Sequence, residues 1–105
     1  MIVRTWHGTA PLATAAAYHR HFTTNVAPHL KHLAGHQGAY LLRREVDGQV
    51  EFVALTLWDS IEAISRFAGS DPTVAIVEPE GRAALSACDE VARHYEVVFS
   101  RVGDG

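Results

Sequence analysis

Two spacings, alternation and helical recurrence, divide the chain into successive elements. From Ile2 to Thr9 the side chains alternate as in a strand, with Ile2, Arg4 and Trp6 on one face and Val3, Thr5 and His7 on the other. Thr9 is placed to cap a following helix, and Pro11 suits its first turn, where a missing N–H loses no partner. From Leu12, the positions Leu12, Ala15, Ala16, Phe22 and Val26 recur at helical spacing, with His19 on their side and His21 toward solvent. Pro28 should interrupt this helix, because an interior proline costs about 3 kcal/mol; a short turn from Leu30 to Leu33 then ends at Gly35.

Gly38 to Val46 and Gln49 to Trp58 read as two strands joined by Asp47-Gly48, a dipeptide suited to a tight hairpin turn. At Asp59-Ser60 the period changes from two toward 3.6, so the third strand runs into a helix. Asp59 is expected to cap it, with Glu62 reaching back, Ile61, Ile64 and Phe67 or Ala68 on its buried face, and Gly69 as its stop. Asp71-Pro72 repeats the cap signal before a short helix over Thr73 to Val77, Glu80 to Ala87 is helix or loop, and Val91 to Val102 is the last strand. The order β-α-β-β-α-β fits an α+β, ferredoxin-like fold, an antiparallel sheet with its helices on one face. Leu55 and Leu57 oppose Phe52, Ala54 and Trp58, and Val98 opposes Val97 and Phe99, so both sheet faces are apolar. The face away from the helices is expected to be buried against a second copy of the chain in a homodimer.

Composition narrows the partners. A chain of 105 residues with a formal charge of -3 predicts one domain over 1–105, with no general attraction for nucleic acid or an anionic membrane. It has no run of about 18 apolar residues for a membrane span, and its one cysteine, Cys88, fits a small packed residue in a soluble, cytoplasmic protein.

The L-x-R-R-x pattern at Leu42-Arg43-Arg44, the block L-W-D-S-x-E-A-I from Leu57 to Ile64 and the terminal HYEVV from His94 to Val98 resemble the antibiotic biosynthesis monooxygenase superfamily over nearly the whole chain. The resemblance implies a dimeric α+β barrel and two possible chemistries, cofactor-free oxygenation of electron-rich phenols or anthrones and oxidative haem cleavage. The haem branch resembles itself in an Asn on the first strand, a Trp ending the third and an iron-ligating His after that Trp. Here Trp58 is kept, but IVRTWHGT has no Asn and no His intervenes before His94, so no haem and no other cofactor is expected.

Cofactor-free oxygenation needs a base, a dry apolar pocket and a small electron-rich aromatic substrate. Trp6, Tyr18, Phe22, Tyr40, Phe67 and Trp58 can supply walls, with the core the preferred reading for Phe22 and Phe67. Trp58, at the end of a strand, is expected near the ligand. Of seven histidines, His7 and His19 are the candidate bases, and Arg4 either stabilises an oxyanion or pairs with Glu51 or Glu96. His29, His32 and His36 are joined by no carboxylate or cysteine, and Gly35 breaks their helical spacing, so they read as a solvated loop with no metal. The scaffold also suits a non-catalytic binding or accessory protein, or an isomerase or decarboxylase using the same pocket. A pocket filled by Trp58 would oppose the enzyme readings; an open apolar cleft with a histidine at its wall would support them.

Overall fold

The computed structural model describes residues 1–102, and its centre is an antiparallel sheet ordered β2-β3-β1-β4, with β5 also paired to β1. The strands are β1 (Ile2–Pro11), β2 (His36–Val46), β3 (Gln49–Trp58), β4 (Ala87–Cys88) and β5 (Arg93–Glu96). Helices α1 (Leu12–His21), α2 (Ala27–Lys31), α3 (Ile61–Ala68) and α4 (Pro79–Ala84) complete the α+β, ferredoxin-like order. The β2–β3 hairpin is as expected: Asp47 and Gly48 have φ of 50° and 78°, the left-handed pair that matches strand twist.

Several boundaries depart from the sequence expectations. Thr9 is not a cap; it stays in β1, paired with Glu51, and the strand continues to Pro11. Pro28 does not break the helix. Phe22–Val26 forms a π turn that leads directly into α2, with Pro28 in its first turn. The wider turn relaxes the ladder that a proline would violate, and hydroxyls take up local carbonyls: Thr24 Oγ1 donates to Arg20 O at 2.6 Å and Thr23 Oγ1 to His19 O at 3.1 Å.

Helix α3 is capped by Ser60, whose hydroxyl accepts from the Ala63 N–H at 3.2 Å, while Asp59 instead accepts from the Gln37 side chain at 2.7 Å. Gly69 ends it as expected, but Ile61 is exposed. Thr73–Val77 is not helical: a turn at Thr73 leads into irregular chain. Asp71 binds the backbone and hydroxyl of Thr73, and Val74 bridges to Val91. The last strand is also shorter than predicted: β5 covers only Arg93–Glu96, and Val98 and Phe99 are exposed.

The core lies between the sheet and the helices in two clusters. Ala10, Val50 and Phe52 from the strands pack with Ala15, Tyr18 and Phe22; Trp58 packs with Leu30, Ala63 and Ile64. The opposite sheet face carries Val3, Val53, Leu55, Leu57, Leu42, Tyr40 and Tyr95, in register across four strands, with Leu42, Tyr40 and Tyr95 exposed. Among the described residues no helix is long and apolar enough to cross a membrane.

Candidate functional site

Between the two core clusters the helices stand off the sheet and leave a cleft. Alternation along β1 and β3 aims Arg4, Trp6, Ala54 and Thr56 into it; α1, the π turn and α2 supply Tyr18, His21, Phe22, Val26 and His29, α3 supplies Phe67, and Ile76–Glu78 cross its rim. It measures about 700 Å³ counted to its open mouth, of which about 70 Å³ is clear enough for the centre of a water-sized body. The first figure takes in open solvent, and the clear space is well below the roughly 300–1,000 Å³ of small-molecule sites. The second makes it a slot that must widen for a ring system.

Its walls are aromatic. Trp6 stacks on Tyr18 at 6.0 Å between centroids, and Trp6 Nε1 donates to the Asp89 carbonyl at 2.9 Å, which fixes the indole plane. Tyr18 packs on Phe52 at 5.0 Å. Burial first, and then Cys88, push the Tyr18 phenol well above its ordinary pKa, so it stays protonated.

Two polar groups interrupt this lining. The Arg4 guanidinium donates to the Pro72 carbonyl, reaches the Val74 carbonyl at 2.9 Å and His94 Nε2 at 3.0 Å, and lies 5.6 Å above the centre of Phe67. Burial lowers its pKa, and burial followed by the Arg4 charge lowers that of His94. His21 is buried, with the Asn25 side-chain amide 3.1 Å from Nδ1 and a Glu80 oxygen 3.6 Å from it. The same amide reaches Glu80 at 3.4 Å. An amide giving its two protons to His21 Nδ1 and to Glu80 leaves the imidazole proton on Nε2, a donor. Gly81 is what admits this ring, since a Cβ there would stand 2.9 Å from His21 Cδ2.

The expected site residues divide accordingly. Arg4, Trp6, Tyr18, Phe22 and Phe67 meet in the cleft. Tyr40 does not: its strand position pairs it with Leu55 on the other sheet face, where it is exposed. His7 lies on that same face by alternation, 3.1 Å from Glu51 and 3.8 Å from Asp89. His19 is exposed and His21 buried, the reverse of the expected helix phase. Trp58 is 0% exposed; its indole donates to Thr56 Oγ1 at 2.8 Å and stacks behind Phe67, so it backs the wall rather than lining it. Arg4 pairs with neither Glu51, which holds Arg44 at 2.7 Å, nor any other carboxylate within 4.0 Å among the described residues. The two histidines of the lining, His21 and His29, are not among the residues that the sequence points to. Neither carried a distinguishing sequence signal.

No family model and no curated protein matches the chain. Solved structures do. An arginine-to-serine variant of MhuD with two manganese protoporphyrin IX bound per active site is 21% identical at a TM-score of 0.71, covering 98% of this chain and 100% of that one. A Bacillus cereus protein described as a candidate antibiotic biosynthesis monooxygenase is 20% identical at 0.68, covering 97% of each chain. MhuD from Mycobacterium tuberculosis, a heme-degrader with two hemes in its active site, is 22% identical at 0.66, covering 98% of this chain and 100% of that one. At these identities the likeness establishes the fold alone, the α+β, ferredoxin-like arrangement shared with these structures.

The cleft residues do not fit a porphyrin of the kind those neighbours hold. Clear space of about 70 Å³ is far short of a macrocycle, Trp58 is sealed behind Phe67, and His94, the one histidine after Trp58, is engaged by Arg4 at the sheet edge.

Proposed function

We propose that the protein is a cofactor-independent monooxygenase acting on a small electron-rich aromatic with O2. The observation that carries the reading is an aromatic-walled cleft holding one buried cation and one buried imidazole, reached from solvent past the exposed ring of His29. Trp6, Tyr18, Phe22 and Phe67 would sandwich a flat substrate and keep water away. His29, at the mouth, is placed to take the proton of a phenol or activated methylene, and Arg4 and His21 Nε2–H to hold the resulting anion by charge-assisted hydrogen bonds. The anion passes an electron to O2, the two radicals combine to a hydroperoxide, and loss of water leaves the new carbonyl. The balance is CH2 plus O2 to C=O plus H2O, with no external reductant.

The test is oxygen uptake by the purified protein against anthrones and naphthalene diols, without added cofactor. Uptake above autoxidation that falls about a hundredfold or more in His29→Ala, the usual worth of a general base, supports the reading. Uptake in no case favours a binding protein, and uptake unchanged in both His29→Ala and His21→Ala rejects the roles given to those two residues. The same reading places a second copy of the chain against the apolar sheet face, in a homodimer.

A further inference from the structure

A buried charge is expensive unless something pairs with it. Arg4 is 5% exposed, and every group around it is uncharged: two carbonyls, the acceptor nitrogen of His94 and the face of Phe67. The chain does supply counter-charges elsewhere. Arg44 and His7 share Glu51, and Arg43 has Glu45 at 3.6 Å. Among the described residues Arg4 is the one buried arginine or lysine, and no carboxylate lies within 4.0 Å of it.

A guanidinium has five N–H donors. Nη1 uses two, on Pro72 and His94, and Nη2 uses one, on Val74. Those remaining are one on Nε and one on Nη2, donors from which a carboxylate can accept. His21 adds a further donor, whereas the one carboxylate of the lining, Glu78, is exposed at the rim. The cleft is thus richer in donors than in acceptors, with its cation deep and its anion at the surface. A ligand entering it would turn an acidic group inward and its ring toward Trp6 and Phe67.

We infer that the cleft takes an aromatic acid, whose permanent carboxylate is held by Arg4, rather than a neutral phenol or hydrocarbon. This rests on the proposed oxygenase reading and deepens it by naming the substrate class, with Arg4 given to the permanent carboxylate and His21 Nε2–H left to hold the anion formed in the reaction, and binding alone tests it. Arg4 also moors the segment that crosses the rim, through Pro72 and Val74.

The experiment is calorimetric titration of the full chain at pH 8 with 2-naphthoate and with 2-naphthamide, which have the same shape and differ in charge. The wild type is expected to bind the naphthoate at least about tenfold more tightly, because hydrogen bonds to a charged acceptor are stronger than those to a neutral one. Arg4→Gln should abolish the preference, and Glu78→Gln should preserve or increase it. Equal affinities, a preference for the amide, binding of neither ligand, or a preference that persists in Arg4→Gln would overturn the inference. If Arg4→Gln fails to fold, the wild-type pair still decides. Naphthoate preference without oxygen uptake from any aromatic acid would retire the oxygenase and keep the acid site; uptake from neutral phenols with no preference would do the reverse.

Discussion

Gly35 sits where the chain leaves α2 and enters β2, and replacing it with alanine tests the packing that backs the cleft. Its φ is +87°, and a Cβ there would stand 2.5 Å from Ala63 Cβ on α3. The turn cannot retreat freely, because Gly35 O accepts from the Asp59 N–H at 2.8 Å and Ala34 O from Arg66 Nη1 at 3.1 Å. The left-handed conformation costs a non-glycine residue roughly 1–2 kcal/mol, and forcing a methyl into a packed seam about 1–3 kcal/mol. The sum, roughly 2–5 kcal/mol, corresponds to a fall in Tm of about 10–20 °C or more at this chain length. Gly48→Ala, with φ of +78° and nothing within 4 Å, should show the backbone share alone, and Gly38→Ala, whose Cβ would meet Leu57 Cδ1 at 3.5 Å, almost nothing. Urea denaturation of the three variants, with Gly35→Ala also made in an Ala63→Gly background, separates the shares. Removing the Ala63 methyl leaves its Cα at 3.8 Å, so the double variant should recover the clash share, seen as a favourable coupling of about 1–3 kcal/mol. Equal losses for Gly35→Ala and Gly48→Ala, or no coupling with Ala63, would refute the argument.

Three further outcomes are expected. Trp58→Ala should cost about 3–5 kcal/mol in chemical denaturation, the loss of a fully buried aromatic, while Phe67→Ala should weaken ligand binding more than it weakens the fold; a small stability loss at Trp58 would return that residue to the cleft. Leu55→Asp, at the centre of the apolar sheet face, should turn a dimer into a monomer by light scattering at micromolar concentration, and a monomeric wild type would contradict the proposed partner. His36 and His94 have pKa values lowered from 6.5, His36 by burial, and His94 by burial and then by the Arg4 charge. Folded values below unfolded ones mean that the unfolded chain takes up protons first, so this stability is full above about pH 6.5 and is lost as pH falls through the lowered values. Tm should therefore drop between pH 7.5 and 5.5, less so in His36→Gln/His94→Gln, and a flat profile in the wild type would refute it.

The strands and the hairpin were legible because each carries its own evidence: alternation from Ile2 and from Gln49, and a dipeptide at Asp47-Gly48 that few other conformations suit. Helix phase was not. LATAAAYHRH is so rich in alanine that almost no rotation of it is disfavoured, and only the tertiary contacts of Tyr18 and Phe22 decide that His21 turns inward and His19 outward. Pro28 was misread for a physical reason, since a proline ends a helix only if no wider turn precedes it; the Thr23-Thr24 hydroxyls that accommodate that turn look unremarkable in sequence. Ser60 displaced Asp59 as the cap because Gln37, distant in sequence, claims the Asp59 carboxylate. Of the site, the aromatic walls and Arg4 were found from strand alternation and composition, whereas Tyr40 and His7 were assigned to a cleft that the opposite face of the sheet does not border.

That division of the sheet also bears on what each face is for. On the face away from the helices, polar groups neutralise one another locally: Glu51 serves both Arg44 and His7, and Asp89 approaches His7 from the other side. A surface balanced at its polar edge and apolar at its centre suits a second copy of the same chain, since self-association brings like charge against like unless charges are already paired. The helix-facing side does the opposite. It buries a guanidinium among neutral groups, inside a cleft too narrow as it stands to admit a ring. Such an arrangement stabilises nothing by itself, because desolvating Arg4 is a cost that two carbonyls and an imidazole offset only in part. Its physical sense lies in what would complete it, an anion carried in on an aromatic body.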